Sequence, residues 1–193
     1  MHSLLLKELI YKSSDGGVNW TQTINGLSNL NIIWMEVINS KLVAASIGGG
    51  VFISSDNGST WVQSNSGIAG GDLNASLVWR MGTNLYYYEQ GGGSYTSAND
   101  GATWIVWTKP AVFGVGPMEI YRSGGDLYME ARHFSGGLKD SLYITSNEGI
   151  TWTNITGNLS ASDLSASKIM EFNGYAFIAY NLVSPNLVFI EEE

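Results

Sequence analysis

The sequence predicts an all-β chain, a β-propeller-type repeat of four-stranded antiparallel blades with about four periods and a partial fifth. Three observations carry that expectation. A short turn-forming box that ends in Trp recurs four times, with Trp spacings of 41, 43 and 48 residues. Between boxes, a second strand–turn–strand pattern recurs. Composition agrees: 44% of the 193 residues are hydrophobic, 12% aromatic and 13% charged, with 24 Gly, a profile far from that of a disordered or coiled-coil chain.

The boxes set the period. Ser13-x-Asp15-x-Gly17-x-Asn19-Trp20 is answered by Ser54-x-Asp56-x-Gly58-x-Thr60-Trp61. It returns as Ser97-x-Asn99-x-Gly101-x-Thr103-Trp104 and Thr145-x-Asn147-x-Gly149-x-Thr151-Trp152. A short Asp or Asn side chain accepts hydrogen bonds from the backbone just ahead of it, and Gly two residues later takes φ > 0, so the chain reverses tightly. Thr is then expected to restart an extended strand, with Trp on that strand anchoring it by its large apolar area. Each box thus reads as a turn between two strands, Leu9 to Ser14 into Val18 to Gln22 in the first copy and Gly50 to Ser55 into Thr60 to Gln63 in the second. Two residues before each box stands an aromatic: Tyr11, Phe52, Tyr95 and Tyr143. At the C-terminus Phe189, Glu191 and Glu193 fall in the aromatic, Ser and Asp columns of a fifth copy.

The remaining strands fall between the boxes. They pair as 32–38 with 42–46, 76–81 with 85–89, 119–122 with 127–132, and 168–172 with 175–180. Turn residues separate each pair: Asn39-Ser40, Gly82-Thr83-Asn84, Gly124-Gly125-Asp126 and Asn173-Gly174. No segment holds the i, i+3, i+4, i+7 spacing of a stable helix. The whole chain, 1–193, is expected to form a single domain, with blade boundaries near 27, 69, 112 and 160 and both terminal blades incomplete. Either the two ends complete one blade together, or the chain is a fragment of a longer one, or it is an arc that a second copy completes as a homo-oligomer.

Charge and composition exclude whole classes of partner. Nine basic against seventeen acidic residues give a net charge of −8, and the basic ones are scattered singly, so nucleic acid is not an expected partner. With no Cys there is neither disulfide nor thiolate chemistry. No stretch approaches the roughly 20 apolar residues that span a bilayer, so no membrane association is expected. Five Asn-x-Ser/Thr sequons, at Asn19, Asn57, Asn74, Asn154 and Asn158, lean toward an extracellular or cell-surface setting.

The Ser/Thr-x-Asp-x-Gly-x-Thr-Trp pattern resembles the Asp-box (BNR) repeat of the sialidase and sortilin-like superfamily, and the resemblance runs over nearly the whole chain. Asn stands for Asp at 99 and 147, and Thr for Ser at 145. The resemblance implies that the box is a structural turn remote from any active site, and therefore implies fold more than activity.

Function must come from residues outside the boxes. Aligned on their turns, the first strands place Val37, Arg80, Arg122 and Glu171 in one column and Glu36, Trp79, Tyr121 and Met170 in the next. The second strands add Tyr88, Glu89, Glu130 and Arg132. Arg, Glu, Trp and Tyr on an inner surface suit a sugar, so Trp79, Arg80, Tyr88, Glu130, Arg122 and Arg132 are the candidate ligand-binding residues. Burial trends pull the other way, since Tyr and Trp between blades are more often packing residues, and the Arg residues can pair with neighbouring Glu. The resemblance to sialidases draws attention to the three Arg of the chain, because those enzymes clamp a carboxylate with three, but their Arg-Ile-Pro motif is absent. No catalytic residue, cofactor or metal is assigned; Asp56-Asn57-Gly58 lacks the further ligands of a calcium loop. The expected function is a non-catalytic binding or scaffold module with a glycan or protein partner, and the alternative is a sialidase-like or other glycoside hydrolase, or a fragment of one. The longest connections, Asn65 to Asn74 and Lys109 to Pro117, are where specificity is sought.

Overall fold

The computed structural model describes residues 10–89, 93–113, 116–132, 141–159, 166–172 and 175–180. Among them every regular element is a β-strand apart from two short 3-10 turns, Gly70–Asp72 and Ala111–Phe113. The chain divides into two compact units, Met1–Pro110 and Ala111–Glu193.

In the first unit a hairpin of β1 (Tyr11–Lys12) and β2 (Thr21–Gln22) precedes two four-stranded antiparallel sheets. One sheet holds β3 (Ile32–Ile38), β4 (Lys41–Ser46), β5 (Gly50–Ser54) and β6 (Val62–Gln63). The other holds β7 (Ala75–Met81), β8 (Asn84–Glu89), β9 (Ser94–Ser97) and β10 (Ile105–Val106). The second unit has a third such sheet of β11 (Gly116–Ser123), β12 (Asp126–Arg132), β13 (Ser141–Thr145) and β14 (Thr153–Asn154), then a hairpin of β15 (Ala166–Phe172) and β16 (Tyr175–Tyr180). Within each four-stranded sheet spatial order equals chain order, as in a blade.

The sequence columns survive in the register. Val37, Arg80, Arg122 and Glu171 oppose Leu42, Leu85, Leu127 and Ala176, each one residue from its turn. Each first strand also carries a bulge at the same place, between Ile32 and Trp34, Ala75 and Leu77, Pro117 and Glu119, and Ala166 and Lys168. A repeated bulge bends each strand alike and shows that the repeat extends well outside the boxes.

The boxes share one hydrogen-bond scheme. In the second, Ser54 Oγ donates to Asp56 Oδ1 (2.8 Å) and accepts from Gly58 N (2.8 Å), while Thr60 N and Oγ1 donate to the two Asp56 oxygens at 2.9 and 2.6 Å. With Asn at 99 the amide carbonyl takes the place of the carboxylate oxygen, and its Nδ2 donates to Thr103 Oγ1 (2.9 Å). Two successive residues sit at positive φ in every box, Asn57 and Gly58 at 56° and 80° in this one, and the fifth position is Gly in all four. One expectation is corrected here. Thr and Trp do not belong to the returning strand: the turn keeps hold of Thr60 through Asp56, and strands β2, β6, β10 and β14 start only after the Trp and run for two residues each. The Trp side chains also differ, for Trp61 and Trp104 are 3% and 2% exposed whereas Trp20 is 61% exposed.

What the buried Trp residues do is join one sheet to the last. Trp61 N donates to Asn25 O and Trp104 N to Ser66 O, each at 2.8 Å. Gly26 and Gly67, at φ +90° and +94°, follow those carbonyls, and a Cβ on either would fall inside the Trp carbonyl oxygen. One turn earlier, Thr23 Oγ1 bonds Gly58 O and Ser64 Oγ bonds Gly101 O. Asp100 adds Asn39 (2.7 Å) and Lys41 (3.2 Å) across the same junction. At the opposite end of the sheets, Gly48 N and Gly50 N both donate to Leu73 O, at 3.0 and 2.9 Å. Between these ends lies the core of the first unit, where Val43, Ala45, Val51, Val78, Leu85, Tyr87, Tyr95 and Trp104 pack together. The glycine column holds Pro110 after the third box, and the boundary between the two units falls at that residue.

Candidate functional site

Antiparallel order places the boxes and the β7–β8 turn at one end of the second sheet, and the β8–β9 connection and the β6–β7 linker at the other. At that second end the linker ends in the 3-10 turn Gly70–Asp72, and β8 ends at Glu89. Asp72 Oδ2 accepts a 2.5 Å hydrogen bond from the Tyr95 hydroxyl, whose oxygen accepts in turn from Ala69 N at 3.2 Å. The Tyr87 hydroxyl donates to the backbone carbonyl of Asp72. A Cβ at Gly93 would strike Asp72 Oδ2 and the Tyr95 ring, so only Gly lets the backbone pass.

Glu89 is 8% exposed, yet its carboxylate makes no hydrogen bond or ion pair with a described residue, and its backbone N–H goes to Gly93 O at 3.2 Å. Burial, and then the charge of Asp72, push its carboxyl above the ordinary range. Tyr95 is pushed up first by its bond to Asp72, because the phenol that donates to a carboxylate resists losing its proton. Burial, and then the charges of Glu89 and Asp72, do the same to Tyr87. The Glu89 carboxyl and two phenols, with Asp72 bonded to both phenols, therefore gather at one end of a sheet, the kind of place where perturbed groups mark a site.

The first sheet carries a neutral version of the same arrangement. Asn29-Leu30-Asn31-Ile32 matches Asp72-Leu73-Asn74-Ala75, and Ser46 opposes Ile32 as Glu89 opposes Ala75. There Ser46 Oγ donates to Asn29 Oδ1 (2.9 Å), which also accepts from Asn31 N (2.8 Å), so the pair satisfies itself. The Asn/Asp-Leu-Asn signal was present in the sequence, and the linker Asn65 to Asn74 contains it. Without the register, nothing joined Asp72 to Glu89.

The candidate residues taken from the sequence fall elsewhere. Trp79 is 1% exposed and stacks on Tyr86 opposite it, ring centroids 5.5 Å apart, with Trp107 edge-on at 4.7 Å to Tyr86. Tyr88 is buried as well. Glu130, 1% exposed, stands in register between Glu119 on β11 and Leu142 on β13. Arg80 donates to Gly82 O at the turn end of β7. Arg122 grips Glu148 of the fourth box with both terminal nitrogens, at 3.1 and 2.9 Å. Arg132 lies at the far end of the same hairpin, opposite Gly116, five residues along β12 from the partner of Arg122. Five residues of strand are about 17 Å. Among the described residues no three His, Cys, Asp or Glu gather as a metal-binding group. No described helix is long and apolar enough to cross a membrane.

No protein-family model and no curated protein sequence matches the chain. Solved structures similar to it are β-propeller folds. YCF48 bound to a D1 peptide is 17% identical, with a TM-score of 0.49 over 68% of this chain and 41% of that one. The GH74 enzyme of Niastella koreensis is 21% identical, with a TM-score of 0.49 over 78% of this chain and 26% of that one. YCF48 from Cyanidioschyzon merolae is 19% identical, with a TM-score of 0.42 over 68% and 40%. The chain spans less than half the length of each of these structures.

Proposed function

We propose that the chain is an Asp-box propeller module, one domain in function, that binds a protein or glycan partner without catalysis. The observation that carries this reading is the state of its arginines. Arg122 is held two-pronged by Glu148 at the box end, so its guanidinium already serves a carboxylate of the fourth box and supports a structural role for this arginine. The four hydrogen-bonded boxes and the sheet-to-sheet bonds of Trp61 and Trp104 support a rigid scaffold role. The competing reading, a glycoside hydrolase, draws on the Asp72 and Glu89 carboxyl groups, the second pushed above its ordinary range by burial.

A glycan-binding screen, a partner capture from solution and hydrolysis assays on sialosides and β-glucans separate the two. Binding without turnover is expected. Turnover abolished by Arg80→Ala with Arg122→Ala, or by Glu89→Gln, overturns the non-catalytic reading.

A further inference from the structure

We propose that Asn25 is a site of spontaneous covalent modification: its side-chain amide closes onto the backbone nitrogen of Gly26 and ends as an isoaspartyl linkage inside the joint between the first hairpin and the first four-stranded sheet. Asn followed by Gly is the pair in which this ring closes most readily, because Gly puts no side chain in front of its own nitrogen. The sequence holds three such pairs, Asn25-Gly26, Asn57-Gly58 and Asn173-Gly174. The third lies outside the described residues, and the structure sets the other two apart.

At the second box the nucleophile is locked. Gly58 N donates to Ser54 Oγ (2.8 Å), Gly58 O accepts from the Thr23 hydroxyl, and Gly58 is buried. Its nitrogen must lose a proton and turn toward the side chain, so the box has to open first. Asn25 and Gly26 are both exposed, and neither the Asn25 side chain nor Gly26 N makes a hydrogen bond with a described residue. The Asn25 carbonyl is turned to Trp61 N at 2.8 Å, and in a planar trans peptide the Gly26 N–H then points the other way, clear of the joint. Asn25 also lines an open cleft of about 420 Å³ with Thr23, Ile24 and Ser59, through which water reaches it.

Water is the one co-reactant. Gly26 N gives its proton to a solvent base and bonds to Asn25 Cγ, the Cγ–Nδ2 bond breaks, and ammonia leaves with a proton from water, which gives a five-membered imide. A second water opens that ring. Attack at Cγ leaves an ordinary aspartyl residue; attack at the main-chain carbonyl carbon breaks its bond to Gly26 N, and the chain then runs on through Cβ and Cγ. No electrons are exchanged, and either product adds one negative charge. In the isoaspartyl product the oxygen that accepted from Trp61 N belongs to a free carboxylate, and an extra methylene displaces Gly26 against the Trp61 carbonyl. The next joint does not age this way. Ser66-Gly67 stands where Asn25-Gly26 stands, and Ser carries no amide.

The test is ageing of the full chain at mildly alkaline pH and physiological temperature, followed by tryptic mapping, in which fragments 13–41 and 42–80 separate the two pairs. Isoaspartate is placed within each fragment by mass spectrometry and counted with an isoaspartyl methyltransferase. In the folded protein it should form at Asn25 at least about tenfold faster than at Asn57, whereas in urea the two should react alike. Aged wild type should lose hydrogen-exchange protection at the Trp61 amide and keep it at Trp104. Asn25→Gln, whose longer side chain closes the ring slowly, should keep both. Equal rates at Asn25 and Asn57 in the folded protein, no isoaspartate at Asn25, or a Trp61 amide that exchanges no faster in aged wild type than in aged Asn25→Gln overturns the proposal.

Discussion

Gly67→Ala is the substitution that presses hardest on the way consecutive sheets are joined. Gly67 sits at φ +94°, and an added Cβ would lie inside the Trp104 carbonyl oxygen and 3.0 Å from its carbonyl carbon. Three effects combine. The left-handed backbone disfavours any Cβ by roughly 1–2 kcal/mol. The overlap is with backbone, which cannot rotate away, so the strand after Trp104 must move, at a further roughly 1–3 kcal/mol. That movement strains the bond from Trp104 N to Ser66 O, about 1 kcal/mol. Against these stands the gain of about 0.4–1 kcal/mol from a stiffer unfolded chain. A net loss of roughly 2–6 kcal/mol follows, a fall of about 4–22 °C in melting temperature for a chain of this size. Thermal and urea unfolding followed by tryptophan fluorescence measure it, with Gly71→Ala, where an added Cβ meets nothing within 4 Å, as the control. If Gly67→Ala and Gly71→Ala unfold alike, the reasoning about the joint is wrong.

Other outcomes follow from the same structure. Trp61→Ala should cost about 3–5 kcal/mol, whereas Trp20→Ala, at a residue exposed to solvent, should stay within about 0.5 kcal/mol in urea titrations. Asp15 is held at about 2 by the Asn19 backbone N–H, the Asn19 side chain and Ser13, and Asp56 at about 2 by the Thr60 hydroxyl, its N–H and Ser54, against an ordinary 3.8. Because both are depressed in the folded chain, their stabilisation is complete above about pH 4 and is lost as pH falls toward 2, which carboxyl NMR titration of each Asp checks. Glu89→Gln should raise the melting temperature at neutral pH, since burial and Asp72 disfavour the Glu89 charge, and the gain should vanish in acid, where the carboxyl takes up its proton; an unchanged or lower melting temperature at neutral pH would contradict this reading of Glu89.

The repeat was legible because its signals are local. Ser54, Asp56, Gly58 and Thr60 bond one another within a few residues, so spacing alone exposes the turn, and the turn fixes the column that runs through Val37, Arg80, Arg122 and Glu171. Strand lengths were less legible, because the turn retains Thr60 by a side-chain bond that strand propensity ignores. The exposure of Trp20 against the burial of Trp61 depends on what each lies against, a property no motif contains. The site was harder still. Trp79, Tyr88 and Glu130 stood out by residue type, yet packing covers them, while Asp72 and Glu89 became a pair only through β7–β8 register.

Amide hydrogen exchange at Trp61 and Trp104 tests most directly the claim that each sheet is bonded to the one before it through its box Trp. Both amides donate across a sheet boundary, to Asn25 O and Ser66 O, and should exchange as slowly as the amides of the central strands around Val43 and Tyr87. Exchange at both positions as fast as in the exposed loop at Gly70 and Gly71 would contradict it.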